Sequence, residues 1–261
     1  MNMLEKAMIK LLTELKEKYG VIEIKAEFEA EGSCMDEMMR LKDVTTTVGL
    51  PIIIKIGGVE AVTDIYSALQ IGVKGVVAPM SETPFALSKF INMIDTMVAK
   101  DNAADIEFAF NMETITTFNN LDAMLTLPNL SMIQGMTIGR VDLTGSLKLD
   151  RSAVDSEQVN ALCRESFQKA KAKGLKTGLG GAISPASMPF IERLYKDSLL
   201  DKFETRKVVF SADSVKYGET AFLKAIQFEL DWLRSKRRFY SMVKVSDENR
   251  IAMLEKRLAG V

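Results

Sequence analysis

Apolar residues fall along the chain in two alternating rhythms. Leu4, Met8, Leu11, Leu12 and Leu15 recur at the three- and four-residue spacing of an amphipathic helix, with Lys and Glu between them. Gly20 closes that helix, predicted over 2–19, in the usual post-helical position. A strand pattern follows at 21–28, and further strands are predicted at 50–56, 73–79, 106–112, 130–138, 175–179 and 206–211. Between them the spacing predicts helices at 36–47, 60–70, 84–98, 115–125, 155–173 and 185–196. Two more, at 219–239 and 247–258, close the chain.

Strand runs separated by helices indicate parallel β/α units joined by right-handed crossovers. Seven such strands in 261 residues fit an α/β fold of the TIM type, a (β/α)8 barrel, better than a doubly wound sheet. Two features depart from that plan. No eighth strand is evident, and an amphipathic helix (1–20) stands where a barrel should open with a strand. No linker, low-complexity tract or charge block divides the chain, so 1–261 reads as one barrel domain. The helices at 219–261 form a C-terminal extension whose apolar face, with Trp232, is expected at a subunit interface of a homo-oligomer.

Composition narrows the chemistry. The chain has no histidine, which excludes Ser-His-Asp and Cys-His nucleophiles, His-ligated zinc and any imidazole base. Its 34 basic and 35 acidic residues leave no net basic field for nucleic acid. Two cysteines, Cys34 and Cys163, build no disulfide framework, and no apolar run reaches membrane-spanning length. A cytoplasmic protein without a membrane partner is the expectation.

In a barrel of this kind the active site forms where strands end. Glu27, Glu29 and Glu31 alternate with Ala26, Phe28 and Ala30 and so share one face. Lys55 ends an otherwise apolar run and needs either a partner or a role. Glu113 and Asp142 end consecutive strands, about 5 Å apart when paired. Two carboxylates so placed can hold Mg²⁺ or Mn²⁺ and leave other positions to water and substrate; equally, each can cap the element that follows it. Arg140 and Arg206 are the guanidinium candidates, Arg206 being open to pairing with Glu204 or a loop carboxylate. Gly57-Gly58 and Gly180-Gly181 make either anion nests or plain tight turns, and no Walker or Rossmann pattern is present.

The segments Asn111-Met112-Glu113-Thr114 and Gly139-Arg140-Val141-Asp142-Leu143, with Pro51 to Lys55 and Ala78-Pro79-Met80, resemble the HpcH/HpaI aldolase and citrate lyase β-subunit family. The similarity spans roughly 20–182. The resemblance implies a phosphoenolpyruvate-mutase-like barrel and a metal-dependent carbon–carbon lyase acting on a 2-oxo acid or related small acid. Glu113 and Asp142 would then hold Mg²⁺ or Mn²⁺, with the backbone around Gly139, Arg140 and Val141 near the substrate carboxylate. The family's acid–base His is absent, its place taken by Glu27 to Glu31, and Lys55 stands where a substrate-binding Arg is usual. Lys55, Glu27 and Glu29 are therefore the expected catalytic groups, and Arg140 or Arg206 the substitute guanidinium. The alternatives are a citrate-lyase-like enzyme on a thioester or phosphorylated substrate, and an acid-binding barrel without catalysis.

Overall fold

Eight short strands close into a barrel in chain order, with helices packed outside it. A computed structural model of the chain describes residues 1–259; the last two residues of the expected C-terminal extension lie outside them. The elements are α1 (Met3–Tyr19), β1 (Val21–Glu27), α2 (Met35–Val48), β2 (Ile52–Lys55), α3 (Val62–Ile71) and β3 (Gly75–Ala78). Then come α4 (Pro84–Met97), α5 (Lys100–Asp105), β4 (Glu107–Met112), α6 (Ile115–Met124), β5 (Gly135–Gly139) and α7 (Arg140–Ser146). The last are α8 (Glu157–Ala172), β6 (Lys176–Gly180), α9 (Met188–Lys196), β7 (Lys202–Glu204), β8 (Val208–Ser211) and α10 (Gly218–Leu258). This is the expected TIM-type architecture, and its main core lies between the barrel wall and the helices. Ile24, Ile54, Phe108 and Ile138 of the wall meet Leu41, Phe90 and Phe167 of the ring, all fully or almost fully buried. Each contributes about 1.5–3 kcal/mol by leaving water.

The eighth strand, missing from the hydrophobic pattern, is the three-residue β7. The strand expected at 206–211 is instead the return arm of a hairpin, β8, antiparallel to both β7 and β1. Neighbouring strands from β1 to β7 pair in parallel. A hairpin needs no crossover helix, so the βα rhythm breaks there and Thr205-Arg206-Lys207 turns at the C-terminal end of β7.

The barrel interior carries charge where such barrels usually stack branched apolar residues. Lys202 bridges Glu23 (3.1 Å) and Glu107 (3.2 Å), and Lys176 reaches Glu107 at 2.5 Å. Above them Lys25 pairs with Glu204 and, at 3.3 Å, with Glu27. Alternation along β1 aims Glu23, Lys25 and Glu27 inward, and each of these charges, buried at Glu27 and partly buried at the other two, has an opposite partner.

α1 does not replace a strand. It joins the helical ring, starting from a capping box between Asn2 and Glu5 and running antiparallel to α10. Glu14 meets Lys224 at 2.9 Å, and Asn2 donates to Ser235 Oγ at 3.1 Å. The two helices expected at 219–239 and 247–258 are one, because residues 240–246 stay helical and Ser246-Asp247, a pair suited to a helix start, lies mid-helix in solvent. Trp232, expected at a subunit contact, is buried within its own chain, as are Phe222 and Phe228. Among the described residues no helix is long and apolar enough to cross a membrane.

Candidate active site

The C-terminal ends of the strands open into a cavity of about 490 Å³. β1 lends it Lys25 and Glu27, β2 lends Lys55, β4 lends Asn111 with Glu113 just beyond, and β5 lends Thr137 and Gly139. Asp142 stands in the first turn of α7, and Arg206 comes from the hairpin turn. Glu29 does not contribute to the wall; it turns back to pair with Lys55 at 3.2 Å.

Glu113 is buried, and hydrogen bonds fix both of its oxygens. Oε1 accepts from the Met80 amide at 2.9 Å, and Oε2 accepts from Asn111 Nδ2 at 3.0 Å. It does not cap α6: that place belongs to Thr114, whose hydroxyl accepts from the Thr117 amide. Burial pushes the Glu113 carboxyl above the ordinary glutamate range, and Asp142 adds to this against the Met80 amide, Lys55 and Asn111. Asp142 is exposed to the cavity. Asn111 Oδ1 is buried without a partner.

Glu27 sits lower in the wall. Burial alone raises its pKa, but Lys25, Lys55 and Arg206 outweigh that and hold the carboxyl below the usual range. One of its oxygens, Oε2, makes no hydrogen bond. Arg206 is half exposed and lies 3.2 Å from Glu31 and 3.7 Å from Glu27, so its loop-carboxylate pairing holds and the Glu204 pairing does not.

Arg140 departs from its expected role. Its guanidinium is fully buried and points away from the cavity, donating to the carbonyls of Val154, Gly180 and Gly181, to Ser187 Oγ and, at 2.6 Å, to Asp155. The expectation of a substrate-binding guanidinium at Arg140 is corrected on that ground. Its backbone runs beside Gly181, which lines the cavity with Gly139 and Val141: a methyl group on Gly181 would come within 2.5 Å of the Arg140 amide nitrogen and 2.7 Å of that of Val141. A glycine at 181, in the left-handed region at φ +82°, keeps that space open.

Sequence reasoning did not place four charged residues on the cavity wall: Lys25, Arg151, Glu204 and Glu229. Lys25 and Glu204 could have been read from strand alternation had β7 been recognised. Arg151 sits in a 3-10 turn after α7, which carries no periodic signal. Glu229 interrupts an otherwise apolar stripe of α10, which was its one legible sign.

The fold and the cavity together define a TIM-type barrel with a carboxylate- and cation-lined site at its strand ends. The chain belongs to the HpcH/HpaI aldolase/citrate lyase family, whose model matches residues 35–179. Solved structures share the fold. An HpcH/HpaI aldolase from Desulfitobacterium hafniense DCB-2 is 12% identical, with a TM-score of 0.62 over 88% of this chain and 88% of that one. The citrate synthase SbnG is 13% identical, with a TM-score of 0.61 over 88% of this chain and 91% of its own. A family protein from Burkholderia cenocepacia J2315 is 16% identical, with a TM-score of 0.57 over 92% and 90% respectively. No curated protein sequence matches the chain. Membership points to activity of the aldolase or citrate-lyase type, and the family generally depends on a divalent metal.

Proposed function

We propose that this protein is a divalent-metal-dependent carbon–carbon lyase acting on a 2-oxo acid or a closely related small acid. The observation that carries the proposal is the Glu113–Asp142 pair, two carboxylates on one cavity wall with no ion-paired cation among the described residues. Lys55 acts on Glu113 through space, yet its own ion pair goes to Glu29.

The donor set fits Mg²⁺ or Mn²⁺. Each Glu113 oxygen spends one lone pair on a hydrogen bond and keeps another, and the exposed Asp142 carboxylate faces the same space. Among the described residues no group of three or more His, Cys, Asp or Glu side chains could hold an ion. Two carboxylates leave the open coordination that substrate oxygens require. Charge balance agrees: Glu27, Glu113, Asp142, Glu204 and Glu229 face Lys25, Lys55, Arg151 and Arg206, so an anionic substrate meets a cavity of formal charge −1 until a cation joins it.

When bound, the ion supplies Lewis acidity toward the oxo group. The chain's own residues do the rest. The Arg140 and Val141 amides beside Gly181 offer donors to a carboxylate. Lys55 lies where an ammonium can stabilise an oxyanion, and Arg206 brings a guanidinium to the rim. Calorimetry on chelator-stripped protein, titrated with Mg²⁺ and Mn²⁺ with and without pyruvate or oxaloacetate, tests the reading. The expected result is metal binding that tightens with the oxo acid and is lost in Asp142→Asn; a wild-type protein that binds neither ion overturns it.

A further inference from the structure

Of the five carboxylates that line the cavity, four are already engaged. Glu27 pairs with Lys25 and Arg206, Glu204 pairs with Lys25, and Glu113 and Asp142 form the proposed metal pair. Glu229 has no hydrogen-bond or ion-pair partner among the described residues. It stands half-buried on the wall because Phe222, Ile226 and Glu229, four and three residues apart, share one face of α10.

The charged groups around it are Lys207 and Arg206 from the β7–β8 turn, with Glu31 and Glu27 from β1 and the loop after it. Both cations are committed elsewhere. Lys207 pairs with Glu31, and Arg206 with Glu31 and Glu27. Burial first, then repulsion from Glu31 and Glu27, outweighs the two cations and holds the Glu229 carboxyl above the ordinary glutamate range. A carboxyl raised in this way holds a proton more readily than the low-lying Glu27, which suits it better to take a proton and return it.

Resting on the metal-dependent lyase reading, we infer that Glu229 is the acid–base residue of the cavity, serving where the chain has no histidine. Its carboxylate takes a proton from the carbon beside the substrate's oxo group. The electron pair of that C–H bond becomes the carbon–carbon double bond of an enolate, and the oxo oxygen takes up the negative charge beside Lys55. In the reverse direction the Glu229 carboxyl returns the proton to carbon, and no redox partner enters.

The test follows deuterium entering the methyl group of pyruvate by proton NMR, in D₂O, with Mg²⁺-loaded protein. Wild-type protein is expected to exchange, and Glu229→Gln to slow exchange by about a hundredfold or more. Pyruvate affinity and melting temperature should stay unchanged in Glu229→Gln, and Glu229→Asp should recover part of the rate with its pH dependence. Full-rate exchange in Glu229→Gln overturns this assignment and leaves the lyase reading standing. No exchange in wild-type protein overturns the enolate chemistry, and the assignment with it. A second readout needs no turnover: carbon-13 titration of the metal-free protein should place the Glu229 carboxyl above a free glutamate, and a value at or below it overturns the inference.

Discussion

Gly139 and Glu113 meet so closely that a methyl group on residue 139 would lie 2.7 Å from Glu113 Oε2. β4 and β5 are adjacent and in register, so the last residue of β5 passes under the side chain that follows β4. The missing side chain lets the carboxylate lie against the wall, where the Met80 amide and Asn111 fix it.

Gly139→Ala should therefore displace Glu113 without unfolding the barrel, since φ is −92° and alanine tolerates that backbone. Mg²⁺ affinity should fall about 10- to 100-fold, the usual cost of disturbing a ligand's supporting contacts. Calorimetry beside a thermal melt checks this. Unchanged affinity would mean that Glu113 holds no ion.

Arg140 is expected to matter for stability rather than for substrate. Arg140→Ala removes a fully buried cation from Asp155 and strands three carbonyls, at a cost of about 3 kcal/mol. Arg140→Lys should rescue little, because one ammonium cannot span acceptors on three sides of a planar fork. Urea unfolding measures both. A pyruvate affinity that falls while stability holds would return Arg140 to the site.

The charged barrel interior predicts acid sensitivity. Burial raises the pKa of Glu107, but Lys202 and Lys176 outweigh it and hold the carboxyl below the 4.5 of a free glutamate. A depressed carboxylate contributes stability that is fully present above the unfolded value and lost as pH falls through the folded one. Glu107→Gln should lower unfolding free energy at neutral pH, and its deficit against wild type should shrink below pH 4.5. Glu113 and Glu229, both raised, act in the opposite sense, so the comparison with the variant isolates Glu107. A deficit constant from neutral to acid pH would contradict the pairing.

Where periodicity ran long, the sequence was readable: α1, α4 and α8 carry clean apolar stripes, and strands such as β2 and β4 carry buried runs. β7 was not legible because three residues give no period, and without it Lys25 had no visible partner in Glu204. Glu113 and Asp142 were legible because strand ends face the site in any such barrel. Arg140 looked equivalent to them in sequence, yet as the first residue of α7 its side chain turns outward into Asp155. That direction goes with acceptors contributed by distant segments, the Gly180 and Gly181 carbonyls and Asp155, and is not encoded by spacing.

The outer half of α10 carries the remaining prediction. From Arg237 to Ala259 every residue but Met253 is exposed, and Met242, Val245, Ile251 and Leu258 present apolar side chains to solvent. A lone helix of about twenty residues is marginally stable in water without a packed face, so this segment calls for a partner. A second copy of the chain is the partner we propose, in keeping with a family whose members often oligomerise. Val245→Glu with Ile251→Glu should reduce the mass seen by analytical ultracentrifugation to that of one chain, 29.0 kDa, while the barrel keeps its melting transition. A wild-type protein that already sediments as one chain would remove the interface.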